Sequence, residues 1–379
     1  MASVPEQIVR RGGISRTVFV ISLVVVAVAA GLGGYFTNAF LNPGTLTLQL
    51  SGSGSSLVYP LLSQWTSNYH GLHSNVQINY QSVGSGAGVT DFQNKVVDFA
   101  GTDAAPVPST NPNVTLTIPE TIGAVTLAYN IPNVPTGLQL NENVTAEIFN
   151  GTITQWNDPA IMALNNGLNL PSNTITTVHR SDSSGTTFIF EGYLLKSAFW
   201  FAPQSKSWPG KAGGNSITGL QNTGVANQVS NTPNSIGYVE VAYALQNSMN
   251  VAYVQNKDRS SFVKPTLANI TAAVSSADPS TLPTGGLQDW STVSLLLEPG
   301  ANSYPIVGFT YIIVYQQLNV RPLMTLDKAK ALVDFLWYIV HDGQAAGANL
   351  DYATLPGSIV TIDETSIKSI TYNGQNLPT

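Results

Sequence analysis

At 379 residues, 43% of them apolar and only 9% charged, the chain has material for more than one core and is too apolar for a disordered polymer. A net charge of −6, with no basic run beyond the N-terminus, excludes a nucleic-acid partner, so any anion must be caught by local donors. The absence of cysteine rules out disulfides and thiolate chemistry, and four histidines (His70, His73, His179, His341) leave little for a metal centre; no cofactor is expected.

The chain opens with a basic region, residues 1–16, carrying Arg10, Arg11 and Arg16. An uncharged apolar run follows over residues 17–36, long enough to span a bilayer with its basic flank inside. Three readings stay open for it: a cleaved secretory signal, a retained anchor, or a class III, pilin-like signal cut beside Gly12 or Gly13. The anchor places the rest of the chain outside the cytoplasm, on the cell surface, and a pilin-like helix would also allow self-assembly. Residues 37–44, with Pro43, form a linker. The triplets at Asn113, Asn143, Asn150 and Asn269 are candidate N-glycosylation sites on such a surface.

Residues 45–50 alternate like a strand, lead into Ser51-Gly52-Ser53-Gly54-Ser55-Ser56, and are followed by a helix-like run over 57–65. The order repeats with a strand at 76–80, the loop Val83-Gly84-Ser85-Gly86-Ala87-Gly88 and a helix through residue 96. The stretch 96–106 then reads as a short strand ending in an acid, Asp103, which is either an N-cap or turn acid or a group at the ligand-facing end of a sheet. Residues 119–130 form a long strand with Gly123 inside it, a candidate hinge. Short helices are expected at 145–149 and 158–165.

The third unit is the most informative. A β-branched strand at 174–178 enters His179-Arg180-Ser181-Asp182-Ser183-Ser184-Gly185-Thr186-Thr187, and an apolar helix follows at 188–199. Unpaired backbone N–H groups at a helix start, several hydroxyls and one guanidinium make an oxyanion site. Three strand–loop–helix units of this kind point to three helix N-termini converging on one tetrahedral anion. Beyond them, residues 204–224 read as loop, 225–230 as helix, 236–239 as strand, 241–246 as helix and 275–285 as a surface excursion. A second long strand at 304–315 and an amphipathic helix at 326–341 complete the chain. No general base stands beside a nucleophile in these motifs, which argues against an enzyme; a phosphatase or serine hydrolase is the catalytic rival.

With these motifs in order, residues 46–360 resemble the phosphate-binding proteins of Pst-type ABC transporters. The resemblance is carried by Ser51 to Ser56, Tyr80 to Gly88, Val97 to Ala104, Ile148-Phe149-Asn150-Gly151-Thr152 through Pro159, Val178 to Phe188, Ile236-Gly237-Tyr238-Val239-Glu240 and Tyr304-Pro305-Ile306-Val307-Gly308. It implies an α/β, two-lobed type II periplasmic-binding-protein fold, each lobe a mixed sheet flanked by helices, with the ligand in the inter-lobe cleft. Lobe 1 is expected over 45–123 and 305–379, and lobe 2 over 124–304. The implied phosphate ligands are Ser56, the backbone of Leu57, Ser85, Asp103, Arg180, Ser184, Gly185 and Thr186, with Asp182 holding the arginine. Ser56 and Leu57 depart from the family's usual threonine and aromatic residue. The implied partners are inorganic phosphate and a membrane permease. A surface-filament subunit, or a binder of sulfate or molybdate, are the competing readings.

Overall fold

A computed structural model describes residues 47–107, 114–209 and 215–379. Residues 17–36, the expected membrane helix, lie outside them, as does Asn113; among the described residues no helix is long and apolar enough to cross a membrane.

Strands β1 (Leu48–Gly54), β2 (Val76–Ser82) and β3 (Phe99–Thr102) are parallel, joined by helices Tyr59–Leu72 and Ser85–Gln93. The sixteen-residue β4 (Thr115–Asn130) follows, and then the short β5 (Gln139–Leu140). β6 (Thr176–Arg180), β7 (Asn215–Gly219) and β8 (Ser235–Glu240) form a second parallel set, with helices Gly185–Leu194 and Gln221–Asn231 between them. Three short strands, β9 (Asn250–Val251), β10 (Tyr253–Gln255) and β11 (Phe262–Val263), precede β12 (Val307–Tyr315) and the long helix Leu326–Val340.

The main sheet runs β2-β1-β3-β12-β4-β8-β6-β7, with β9 also on β4. β4 is the shared element. Its first part, Thr115 to Ala124, pairs antiparallel with β12, and its second, Val125 to Asn130, pairs with β8. One strand, buried except at its two end residues, thus passes from one half of the sheet to the other. Gly123 and Gly308 face each other just before the switch. A Cβ on Gly123 would lie 2.6 Å from Leu57 Cδ2, and one on Gly308 would lie 2.7 Å from Ile189 Cδ1. The glycines admit a side chain from each half against the crossing.

Several elements differ from the periodicity reading. β1 extends to Gly54, so most of the first Gly/Ser stretch, Ser51 to Gly54, is strand and not loop. Its glycines serve strand packing: a Cβ on Gly52 would meet the Phe99 ring at 2.4 Å, and one on Gly54 would meet the Gly101 carbonyl at 2.0 Å. The first helix begins at Tyr59, because Pro60 suits a helix start. The third helix starts at Gly185 and stops at Leu194, capped by the Ser184 hydroxyl, which accepts from the Thr187 N–H at 3.1 Å. Residues 96 and 97 precede β3 and are not in it, and the second helix ends at Gln93, short of the expected 96. The expected loop over 204–224 contains β7 and the start of a helix. It escaped notice because β7 carries one apolar residue, Ile217, and its helix shows no apolar face before Val225.

Candidate functional site

The carboxyl ends of β1, β3 and β6 and the starts of helices Ser85–Gln93, Gly185–Leu194 and Gln221–Asn231 meet between the two halves of the sheet. Ser56, Ser85, Asp103, Arg180, Ser184 and Thr186 are all buried there.

Asp103, just past the end of β3, is an acceptor surrounded by hydroxyls. Ser55 Oγ donates to it at 2.6 Å, and Ser85 Oγ lies 3.4 Å from its other oxygen. The Ser85 hydroxyl in turn accepts from the Gly185 N–H at 3.2 Å, which links the second and third helix starts. Gly185 cannot carry a side chain here, since a Cβ would fall 2.5 Å from Asp103 Oδ2 and 2.6 Å from Ser85 Oγ. Burial pushes the Asp103 carboxyl up to about 6, against the hydrogen bonds of Ser55 and Thr310, the charge of Arg180 and the Ser85 hydroxyl.

Arg180 ends β6. Asp182 binds its guanidinium through two bonds, Nε to Oδ1 at 2.7 Å and Nη2 to Oδ2, and so fixes its plane. The remaining edge is aimed at the site, with Nη1 donating to Thr186 Oγ1 at 3.1 Å. Burial alone would raise Asp182, but the bonds and charge of Arg180 overcome it and hold the carboxyl below its ordinary range. Asp182 also accepts from the Gln221 N–H at 3.0 Å. Gln221 holds a left-handed φ of 60°, a conformation that costs a non-glycine residue about 1 kcal/mol and persists where contacts over-determine it.

Four residues that the sequence reading did not single out complete the constellation. Ser55 is the shortest partner of Asp103, and its oxygen also accepts the Leu57 N–H at 2.9 Å. That N–H, expected to serve a ligand directly, is here engaged by a hydroxyl. Asn222 bridges the halves: its Nδ2 donates to Ser56 Oγ at 3.0 Å and to Thr186 Oγ1 at 3.1 Å, while its own Oδ1 accepts the Glu240 N–H. Tyr243 and Tyr352 hold the Ser56 and Leu57 carbonyls at 2.9 and 2.6 Å. Ser55 was adjacent to a chosen residue. Asn222 had a detectable signal, because Asn215 to Gly224 repeats the strand–turn–helix order of the other units.

The convergence therefore differs from the expected one. Helix starts at Ser85 and Gly185 do meet beside Asp103, whereas the third contribution comes from Gln221–Asn231 through Asn222. Helix Tyr59–Leu72 begins three residues beyond Ser56, and it is Leu57 and Ser56 that reach the site. A cavity of about 170 Å³ opens beside Asp103, walled by Phe188, Ile189, Leu295, Phe309 and Tyr311.

Residues 42–342 match the family described as the PBP superfamily domain. Over 328 residues the chain is 38% identical to the phosphate-binding protein PstS of Xylella fastidiosa (strain Temecula1), covering 83% of this chain and 84% of that one. Over 335 residues it is 35% identical to PstS of Methanocaldococcus jannaschii, covering 84% and 85%. The chain belongs to the PstS phosphate-binding protein family. Among solved structures, a human phosphate binding apolipoprotein gives a TM-score of 0.66 at 19% identity, over 87% of this chain and 100% of that one, a likeness of fold.

The remaining candidates lie elsewhere. His179 stacks on Trp208, 5.2 Å between ring centroids, and burial lowers its pKa. Asn150 and Asn269 donate their side-chain amides to the Phe199 and Lys264 carbonyls, and half-buried Asn143 accepts from Ser197 Oγ.

Proposed function

We propose that this PstS-family chain captures inorganic phosphate outside the cytoplasm and presents it to the permease of an ABC transporter. The observation that carries this reading is the pairing of opposites in one buried site. Arg180, held flat by Asp182, supplies a charged donor, while Asp103 supplies a buried acceptor. An anion without a proton gains from the first and is repelled by the second. Phosphate retains a proton at ordinary pH and can donate it to Asp103; sulfate has none to give.

In this reading Ser56, Ser85, Ser184, Gly185 and Thr186, with the backbone at Leu57, turn their donors onto the phosphate oxygens, replacing bonds they now make to one another. Asn222 and Ser55 join them as positioning residues. The first sheet half, residues 45–123 and 305–379, and the second, 124–304, act as lobes that move about the β4 and β12 crossings, and the permease reads the closed form. Residues 17–36 tether the protein to the membrane.

Calorimetric titration with phosphate and then sulfate tests the reading. Tight phosphate binding without sulfate heat is expected; silence to phosphate in a folded sample would overturn it, and equal heats would make this a general oxyanion binder.

A further inference from the structure

We propose that Glu120 is a second specificity-determining carboxyl of the phosphate site: kept neutral across β12 from Asp103, it leaves Asp103 to carry the carboxylate charge that faces the anion, and its ionisation weakens phosphate binding in alkaline solution. This rests on the phosphate-binding reading and adds to it a residue that the sequence reading passed over.

The placement follows from strand register. Tyr311 of β12 pairs with Thr102 of β3 on one side and with Pro119 of β4 on the other, and the next β12 residue, Thr310, pairs with Thr121. The register slips at that step, so Glu120 is the extra residue of a β-bulge. Bulges re-aim a side chain, and this one turns a carboxyl onto β12 at the level of the site. Continuing the antiparallel pairing past Thr102 sets Asp103 beside Thr310 from the other edge. Thr310 donates to Glu120 Oε1 at 3.0 Å and also lies within hydrogen-bonding influence of Asp103. One hydroxyl therefore stands between two buried carboxyls.

No basic group among the described residues pairs with the second of them. Glu120 has no measurable exposure, and its Oε2 is buried without a hydrogen-bond partner among the described residues. A buried carboxylate left without a partner is strongly disfavoured, so the group holds its proton instead. Burial is the main cause of its rise to about 8, with the charge of Asp103 adding and the Thr310 hydroxyl opposing. The other titratable groups whose fields meet in this pocket are Tyr80 from β2, Tyr311 from β12, Tyr352 and, beyond Asp103, Arg180. The tyrosines are all pushed upward by burial and stay neutral. Arg180 is already engaged by Asp182. Asp103 and Glu120 are thus left to decide the pocket's charge. Below neutrality the pair carries at most one negative charge; once Glu120 loses its proton the pair carries two beside a bound anion, and like charges at such range oppose binding.

The test is phosphate titration of the full chain and of Glu120→Gln between about pH 6.5 and about pH 9. Glutamine keeps the shape and cannot ionise, and phosphate's own titration is common to both proteins and cancels in their ratio. The expected result is near-equal affinity at the acid end and a wild-type affinity about tenfold weaker than that of Glu120→Gln at the alkaline end. Thr310→Val, which keeps side-chain volume but removes the donor that favours ionised Glu120, should shift the wild-type alkaline limb to higher pH; this arm stands if Glu120→Gln does not fold. Parallel profiles for wild type and Glu120→Gln, or an unmoved limb in Thr310→Val, would overturn the role of Glu120 while leaving phosphate binding intact. Silence to phosphate at every pH defeats the functional reading itself.

Discussion

Two acids border the site, Asp103 buried and Asp182 half-buried, and they are held in opposite ways. Asp182, on the turn after β6, meets a guanidinium through two parallel bonds and receives a backbone N–H besides, so it stays ionised despite burial. Asp103, after β3, meets hydroxyls and lies one hydroxyl away from a second carboxyl, so burial prevails and its pKa rises to about 6. The Arg180 side is a fixed charge pair whose task is orientation. The Asp103 side is a protonation device, sensitive to what is brought against it. Under the proposed function, binding and discrimination fall to different halves of the sheet: the arginine half would attract any oxyanion, and the acid half would select among oxyanions by their protons.

The sharpest way to break that division is to remove the attractive half. Arg180→Met should weaken phosphate binding by about 10³-fold or more, because a charge-assisted donor is lost and half-buried Asp182 is left without its partner. Calorimetry on a sample shown to be folded by circular dichroism checks it, and retained tight binding would mean the anion is held elsewhere.

Removing the selective half should act on ratio more than on affinity. Asp103→Asn is expected to narrow the preference for phosphate over sulfate by roughly 10²-fold or more, since sites built around one proton reject its absence by ~10⁴–10⁵. Competition between the two anions measures it directly. An unchanged ratio would remove Asp103 from the selective role.

Asn222 joins the halves, and its loss should be felt more mildly by both. Asn222→Ala removes donors to Ser56 and Thr186 and an acceptor for Glu240, and about tenfold weaker phosphate binding with unaltered selectivity is expected. A shift in selectivity would instead place Asn222 on the acid side.

The smallest effect is on stability. Asp103, at about 6, and Glu120 and Glu191, each at about 8, are raised from 3.8 and 4.5, so the folded state binds more protons than the unfolded one. Their contribution is fully present below the unfolded values and is lost as pH rises through about 6 and then about 8. The melting temperature, followed by circular dichroism without phosphate, should fall by several degrees from about pH 5 to about pH 8.5. A flat or rising profile in that window would contradict the upward shifts. Asp182, shifted downward, acts only in the acid range and leaves this window unaffected.

What the sequence by itself determined is local chemistry. Strand–turn–helix order, the helix cap at Ser184, the Arg180–Asp182 spacing and the acid at Asp103 are legible because each depends on neighbours within a few residues, and the in-order motifs pointed to the family. What only the tertiary structure decided is which local features meet. Gly52 and Gly54 read as an anion loop but pack strands, because Phe99 and Gly101 come from a strand nearly fifty residues away. The Leu57 N–H is taken by Ser55, and Asn222, in a stretch without apolar periodicity, becomes the bridge between halves. Glu120 gives no signal at all in the sequence, where it is one acid in a long strand. Its role depends on a one-residue slip between β4 and β12, and register between strands nearly two hundred residues apart is set by the packing of the whole sheet.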